Sequence, residues 1–257
     1  MNSFIRRTLR QTAAKTVAIA AIGAGFISSG LVAQPAQALT QDQIADRLSG
    51  VPVFVIGIGN ELVSYPASPE AEGGNSEVLF VFMSEQDAES YIALTRTNEE
   101  ISDLPPEAEV GVQSLEYLYK LENASQAEQA ESRRPLRLVY VPEDDEASQA
   151  AALNTGYQRG VPLFYPQFED GSLVPVEQND GGAIFPMFFS RADLESLLSD
   201  LGERNAEARA AVSVGVVPLE AMLIEMKNSD DELLNQVRLL PDSDTINEIQ
   251  QNLPQGE

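Results

Sequence analysis

Most acid–base and nucleophilic chemistry in proteins runs on histidine and cysteine, and this sequence has neither. Their absence removes Ser-His-Asp arrangements, thiolate nucleophiles, imidazole and thiolate metal ligands, and disulfides together. Hydroxyls and carboxylates remain. Ser84 and Asp87 stand three residues apart, as do Ser190 and Asp193. Each pair opens an apolar-periodic stretch, where a serine followed by an acid is a helix cap. The run Glu143-Asp144-Asp145-Glu146 would attract a hard cation. It lacks a loop-glycine pattern, however, and falls at a helix start, where acids already suit the dipole. GIGNEL (57–62) begins like a dinucleotide loop but has no third glycine, and Asn60-Glu61 reads as a turn. No GxSxG, SxxK or P-loop occurs, and in so acidic a chain spacing cannot pick out a carboxylate dyad. These residues imply no catalytic site, no metal site and no cofactor.

The charge balance narrows the partners. Forty acidic against 16 basic residues give the 257-residue chain a net charge of −24. That excess repels nucleic-acid phosphates and anionic membrane surfaces and favours solubility. Residues 1–38 read as a cleaved export signal. Arg6, Arg7, Arg10 and Lys15 form a basic start, Val17–Val32 an apolar run, and Ala36-Gln37-Ala38 a small-x-small cleavage pattern. The apolar run is shorter than the roughly 20 residues of a membrane span. Cleavage would leave 16 − 4 = 12 basic residues against 40 acidic ones, a net charge of −28, and no integral membrane segment. The Arg6-Arg7 pair leaves the export route, general or twin-arginine, open.

The elements that would position any site occur twice. GVPVF (50–54) returns as GVPLF (160–164), the Ser84 block returns at Ser190, and VGVQSLE (110–116) returns as VGVVPLE (214–220). The offsets are 160 − 50 = 110, 190 − 84 = 106 and 214 − 110 = 104, in one order. Residues 39–123 and 136–228 are therefore read as two repeats of a single domain, joined by a polar connection at 124–135 and followed by a polar tail at 241–257. Each repeat reads strand, turn, strand, loop, strand, capped helix, strand, helix. Thr40 and Gln43 form a capping box that opens a lead-in helix. The loop 66–77 is rich in Pro, Gly and Glu. The expected fold is α+β: an internally duplicated, pseudo-twofold molecule with a mixed or antiparallel sheet and helices packed against it.

Leu115, Leu118 and Tyr119 in one repeat, and Leu219, Met222, Leu223 and Met226 in the other, form apolar helix stripes. Such stripes normally face a sheet. Left partly exposed, they would bind a guest chain, since methionine adapts to varied partners.

The blocks Gly50–Phe54, Phe80–Leu94, Val110–Tyr119, Gly160–Phe164, Met187–Leu198 and Val214–Leu223, behind an exported signal, resemble the Tic twenty-two (Tic-22-like) family. These are soluble proteins associated with the chloroplast inner-envelope translocon, with cyanobacterial homologues, and the bacterial-type signal is similar to the cyanobacterial branch. The resemblance implies a periplasmic location, with thylakoid association as a second one. It also implies a chaperone-like role in protein transport and outer-membrane biogenesis. The partners it implies are unfolded precursor proteins and the outer-membrane β-barrel assembly protein. On that reading the seven stripe residues are the client-binding site. The alternatives are a docking or scaffold module for the barrel-assembly machinery, and a small-molecule carrier. The long loop at 66–77 and the acidic connection near 143–146 depart from the family pattern.

Overall fold

The structure is a computed structural model that describes residues 38–67, 75–97, 104–127, 134–178 and 182–252. The expected export signal lies outside the described residues except for Ala38, as do most of the 66–77 loop, half of the 124–135 connection and the end of the tail.

Two sheets form, both mixed. In the first, β1 (Pro52–Ile58) is built from the β-branched and aromatic run VFVI, which suits a pleated, buried strand. It pairs antiparallel with β5 (Glu109–Ser114) along its length and meets β4 (Glu77–Phe82) at Phe54–Phe82. Two short strands, β2 (Glu61–Leu62) and β3 (Tyr65–Pro66), pair with β1 and β4. β4 runs parallel to β6 (Leu136–Val141). The second sheet repeats the wiring. β7 (Pro162–Phe168) pairs antiparallel with β10 (Val212–Pro218), meets β9 (Ala183–Phe188) at Phe164–Phe188, and β9 runs parallel to β11 (Val237–Leu240). A short β8 (Val176–Glu177) pairs with β9.

The hydrogen bonds repeat between the halves. Leu115 N–H donates to the Val51 carbonyl at 2.9 Å, and Leu219 N–H to Val161 at 2.7 Å. Met83 N–H donates to Val141 and Phe189 N–H to Leu240, each at 3.1 Å. Gly50 and Gly160, which open the two GVP motifs, both have positive φ, 78° and 102°. A side chain there would be strained.

One assignment differs from the sequence reading. Residues 136–141 complete the first sheet, not the second repeat, and residues 237–240, beyond that repeat, complete the second. A parallel partner needs a long crossover, so it comes from far along the chain and apolar pattern alone does not reveal it.

Among the described residues eight α-helices and one 3₁₀ turn fill three layers. Helices α1 (Gln41–Arg47), α3 (Leu115–Ala127) and α7 (Leu219–Asn228) share one buried cluster with the inner faces of both sheets. Its members include Ile44 and Leu48, Val53 and Val81, Leu163 and Met187. The expected capping box holds α1: Thr40 Oγ1 accepts from Gln43 N–H at 3.2 Å, and Gln43 Oε1 accepts from Thr40 N–H at 2.9 Å. The outer face of the first sheet, with Phe54, Ile56 and Phe82, is covered by α2 (Glu85–Thr97) and by Ile249 of α8 (Ser243–Asn252). The outer face of the second, with Phe164 and Phe188, is covered by α4 (Asp144–Leu153) and α5 (Arg191–Arg204). A short α6 (Ala206–Ala210) and the 3₁₀ turn (Glu232–Gln236) were not apparent in the sequence.

Two helices thus change sides. α4 leaves β6 of the first sheet and packs on the second, while α8 leaves β11 of the second and packs on the first. Leu118→Ala, which empties part of the central cluster, is expected to cost about 2–5 kcal/mol in urea unfolding. Tyr117→Ala, on the exposed side of the same helix, should change stability by less than about 0.5 kcal/mol.

Candidate functional site

Both side-changing helices begin beside the two GVP motifs. Pro142 follows β6 and Pro241 follows β11, and each proline is followed by an acid at a helix start, Glu143 or Asp242. The hollow there is lined by offset-related pairs: Val51 and Val161, Pro52 and Pro162, Met83 and Phe189, Glu143 and Asp242, Glu146 and Thr245. Met83 and Phe189 stand just before α2 and α5, so four helix N-termini converge on one spot.

The caps there are exchanged between elements. Ser84 caps α2 as expected, accepting from Asp87 N–H at 3.3 Å. Its counterpart Ser190 makes no such cap bond. Glu146 of α4 caps α5 instead, its two carboxylate oxygens accepting from Arg191 N–H at 3.1 and 3.3 Å. Asp193 does not serve its own helix but α8, accepting from Ser243 N–H at 2.9 Å and from its hydroxyl at 2.6 Å. The corresponding residue in the first half, Asp87, faces Asp144 and Asp145 in place of a serine. Its Oδ2 is buried with no hydrogen-bond partner.

Electrostatics follow from that crowding. Burial, then Asp144 and Asp145, push the Asp87 carboxyl above its usual range. Burial, then Asp242, Asp87, Asp145 and Asp244, do the same to Glu143. Glu146 is pushed up to about 7, mainly by burial; the bonds from Arg191 N–H and the Ser190 hydroxyl oppose this and do not offset it. Acids at helix N-termini are normally favoured in the charged form, so here desolvation and like charge win. Among the described residues no group of three or more acids is placed to hold a metal ion. The hollow measures about 20 Å³, enough for a water molecule. Ligand sites are typically ~300 Å³ or more, so it gives a small-molecule carrier no room.

The seven residues expected to bind clients lie elsewhere. Leu115, Leu118, Tyr119, Leu219, Met222 and Met226 are buried in the central cluster, and Leu223 is partly buried against it. The expected client surface is therefore core. The i, i+3, i+4, i+7 spacing that drew attention to these residues is the signature of a helix face turned inward. Outward from the same helices project Tyr117, 50% exposed, and Ile224, 52% exposed. The sequence reading passed over both because each falls outside the i, i+3, i+4, i+7 stripe of its helix.

Two mixed sheets around a shared helical layer, with outer helices exchanged between halves, define an α+β molecule whose polar site sits at the junction of the halves. The chain matches the Tic22-like family over residues 4–251 and belongs to it. Among curated proteins none matches. Among solved structures it is similar to Anabaena Tic22, described as a protein-transport protein: 22% identity, TM-score 0.67, covering 85% of this chain and 100% of that one. It is also similar to Tic22 from Plasmodium falciparum, at 15% identity and TM-score 0.60, covering 81% and 96%.

The two aspartates should respond in opposite ways. Asp193→Ala removes a cap and is expected to cost about 1 kcal/mol in urea unfolding at neutral pH. Asp87→Asn relieves like-charge crowding and should stabilise the fold by about 0.5 kcal/mol.

Proposed function

We propose that the protein is a non-enzymatic transport factor of the periplasm that holds unfolded precursors on their way to the outer membrane. One observation carries the reading: the chain belongs to the Tic22-like family, and a structural relative from Anabaena is described as a protein-transport protein. Three features support it. The chain has no His or Cys for catalysis, and its net charge of −24 would keep a complex with an apolar client in solution. Among the described residues no helix is long and apolar enough to cross a membrane.

Since the helix stripes are core, client contact falls to the opposite sides of α3 and α7, where Tyr117 and Ile224 present apolar surface to extended apolar segments. Aggregation of an unfolded β-barrel protein, followed by light scattering, tests this. Tyr117→Asp with Ile224→Asp is expected to leave the fold intact and weaken client binding about tenfold, equivalent to ~1.4 kcal/mol. If the wild-type protein bound a barrel-assembly factor saturably yet left client aggregation unchanged, the molecule would be a docking module and the holding role would be wrong.

A further inference from the structure

The acids at the junction of the halves occupy the one place where both side-changing connections pass. α4 starts there after leaving the first sheet, and its Glu146 is tied to the N-terminus of α5 on the second. α8 starts there after leaving the second sheet, tied through Ser243 to Asp193 of α5, and lays Ile249 on the first. Anything that loosens these helix starts loosens both exchanged helices together, and with them the closure of the two sheets over the central cluster.

Glu143 of its own helix start and Asp242 at the start of α8 act on Glu146. Asp242, Asp87 of α2, Asp145 and Asp244 act on Glu143, and Asp144 and Asp145 act on Asp87. α5 contributes the Arg191 N–H and the Ser190 hydroxyl, while the Arg191 guanidinium is held by Glu195 at 2.7 Å. The strands beneath α4, β7 and β10, contain no Asp, Glu, Lys or Arg, and besides its acids the hollow is lined by Val, Pro, Met, Phe and Thr245. The charges that act on Glu143 and Glu146 are all carboxylates. Among the described residues no side-chain cation is placed to offset them.

We propose that this junction is a proton-operated latch: protonated, its carboxylates let the four helix N-termini close and hold the two sheets over the central core, and ionised, they ease the halves apart. The sign follows from the raised carboxyls. A group whose folded-state pKa is about 7, against ~4.3 in the unfolded chain, binds more protons when folded. Its destabilising effect is absent in acid, grows between those two values and is complete above the higher one. The latch rests on geometry within this chain and is independent of what the protein carries.

Hydrogen exchange of the α3 and α7 backbone amides reads the latch directly, because those helices lie in the central cluster. Measured by mass spectrometry and corrected for the intrinsic pH dependence, exchange in the full chain is expected to be at least tenfold faster at pH 8.0 than at pH 5.5, a factor corresponding to ~1 pKa unit. The change should build from about pH 4.3 and level off above about pH 7. Glu143→Gln with Glu146→Gln should hold exchange slow at both pH values, while Glu203→Gln, at an exposed acid of α5, should follow wild type. Corrected exchange independent of pH would overturn the latch. So would a change centred at or below pH 5, the double variant exchanging at the wild-type rate at pH 8.0, or Glu203→Gln suppressing the effect equally. The centre of the wild-type change decides the matter even if the double variant does not fold.

Discussion

The constraint on which this molecule depends is that two sheets share one interior. Val53 and Val81 of the first, Leu163 and Met187 of the second, and the inward faces of α1, α3 and α7 belong to a single apolar cluster. Neither inner face is left for water or for its own private layer of helices. Each buried Leu or Met there contributes on the order of 1.5–3 kcal/mol of transfer free energy. The three middle helices serve both sheets at once, and their stripes therefore had to be continuous and apolar.

Closing two sheets over one core places four chain segments in a narrow space at the junction. The fold manages it by exchanging caps: Glu146 serves α5, and Asp193 serves α8. The arrangement is balanced on one side and strained on the other. Asp193 meets a serine, whereas Asp87 meets Asp144 and Asp145 and keeps one buried oxygen without a hydrogen bond. Unrelieved polar burial of this kind costs stability, and it sits where the two halves are tied. Elsewhere partly buried acids are used conventionally, as where Glu122 accepts from Leu138 N–H at 2.9 Å to join α3 to β6.

Much of the architecture was legible because local signals were strong. The Thr40–Gln43 box, the Ser84 cap and the β-branched run after the first GVP all reflect short-range chemistry that sequence displays directly. What escaped was set by partners distant in the chain. Residues 136–141 carry no mark that their neighbour is β4, and Asp193 carries none that its hydrogen-bond partner is fifty residues on. The stripes were read correctly as helix faces and wrongly as a surface, since periodicity reports an apolar side but not what covers it. Glu143–Glu146 was correctly seen as a helix start. That other helices would begin beside it could not be read from a single run of acids.

The exchange of α4 and α8 also has a bearing on how the chain becomes a protein. The outer face around Phe54 and Ile56 is made within the first sixty residues, yet one of its covering side chains, Ile249, belongs to the last helix. A polypeptide emerging from a ribosome or a translocation pore cannot finish covering its first sheet until nearly all of it has arrived. Separately expressed halves would each carry an uncovered greasy face, and a truncation near residue 242 would injure the beginning of the molecule more than its end.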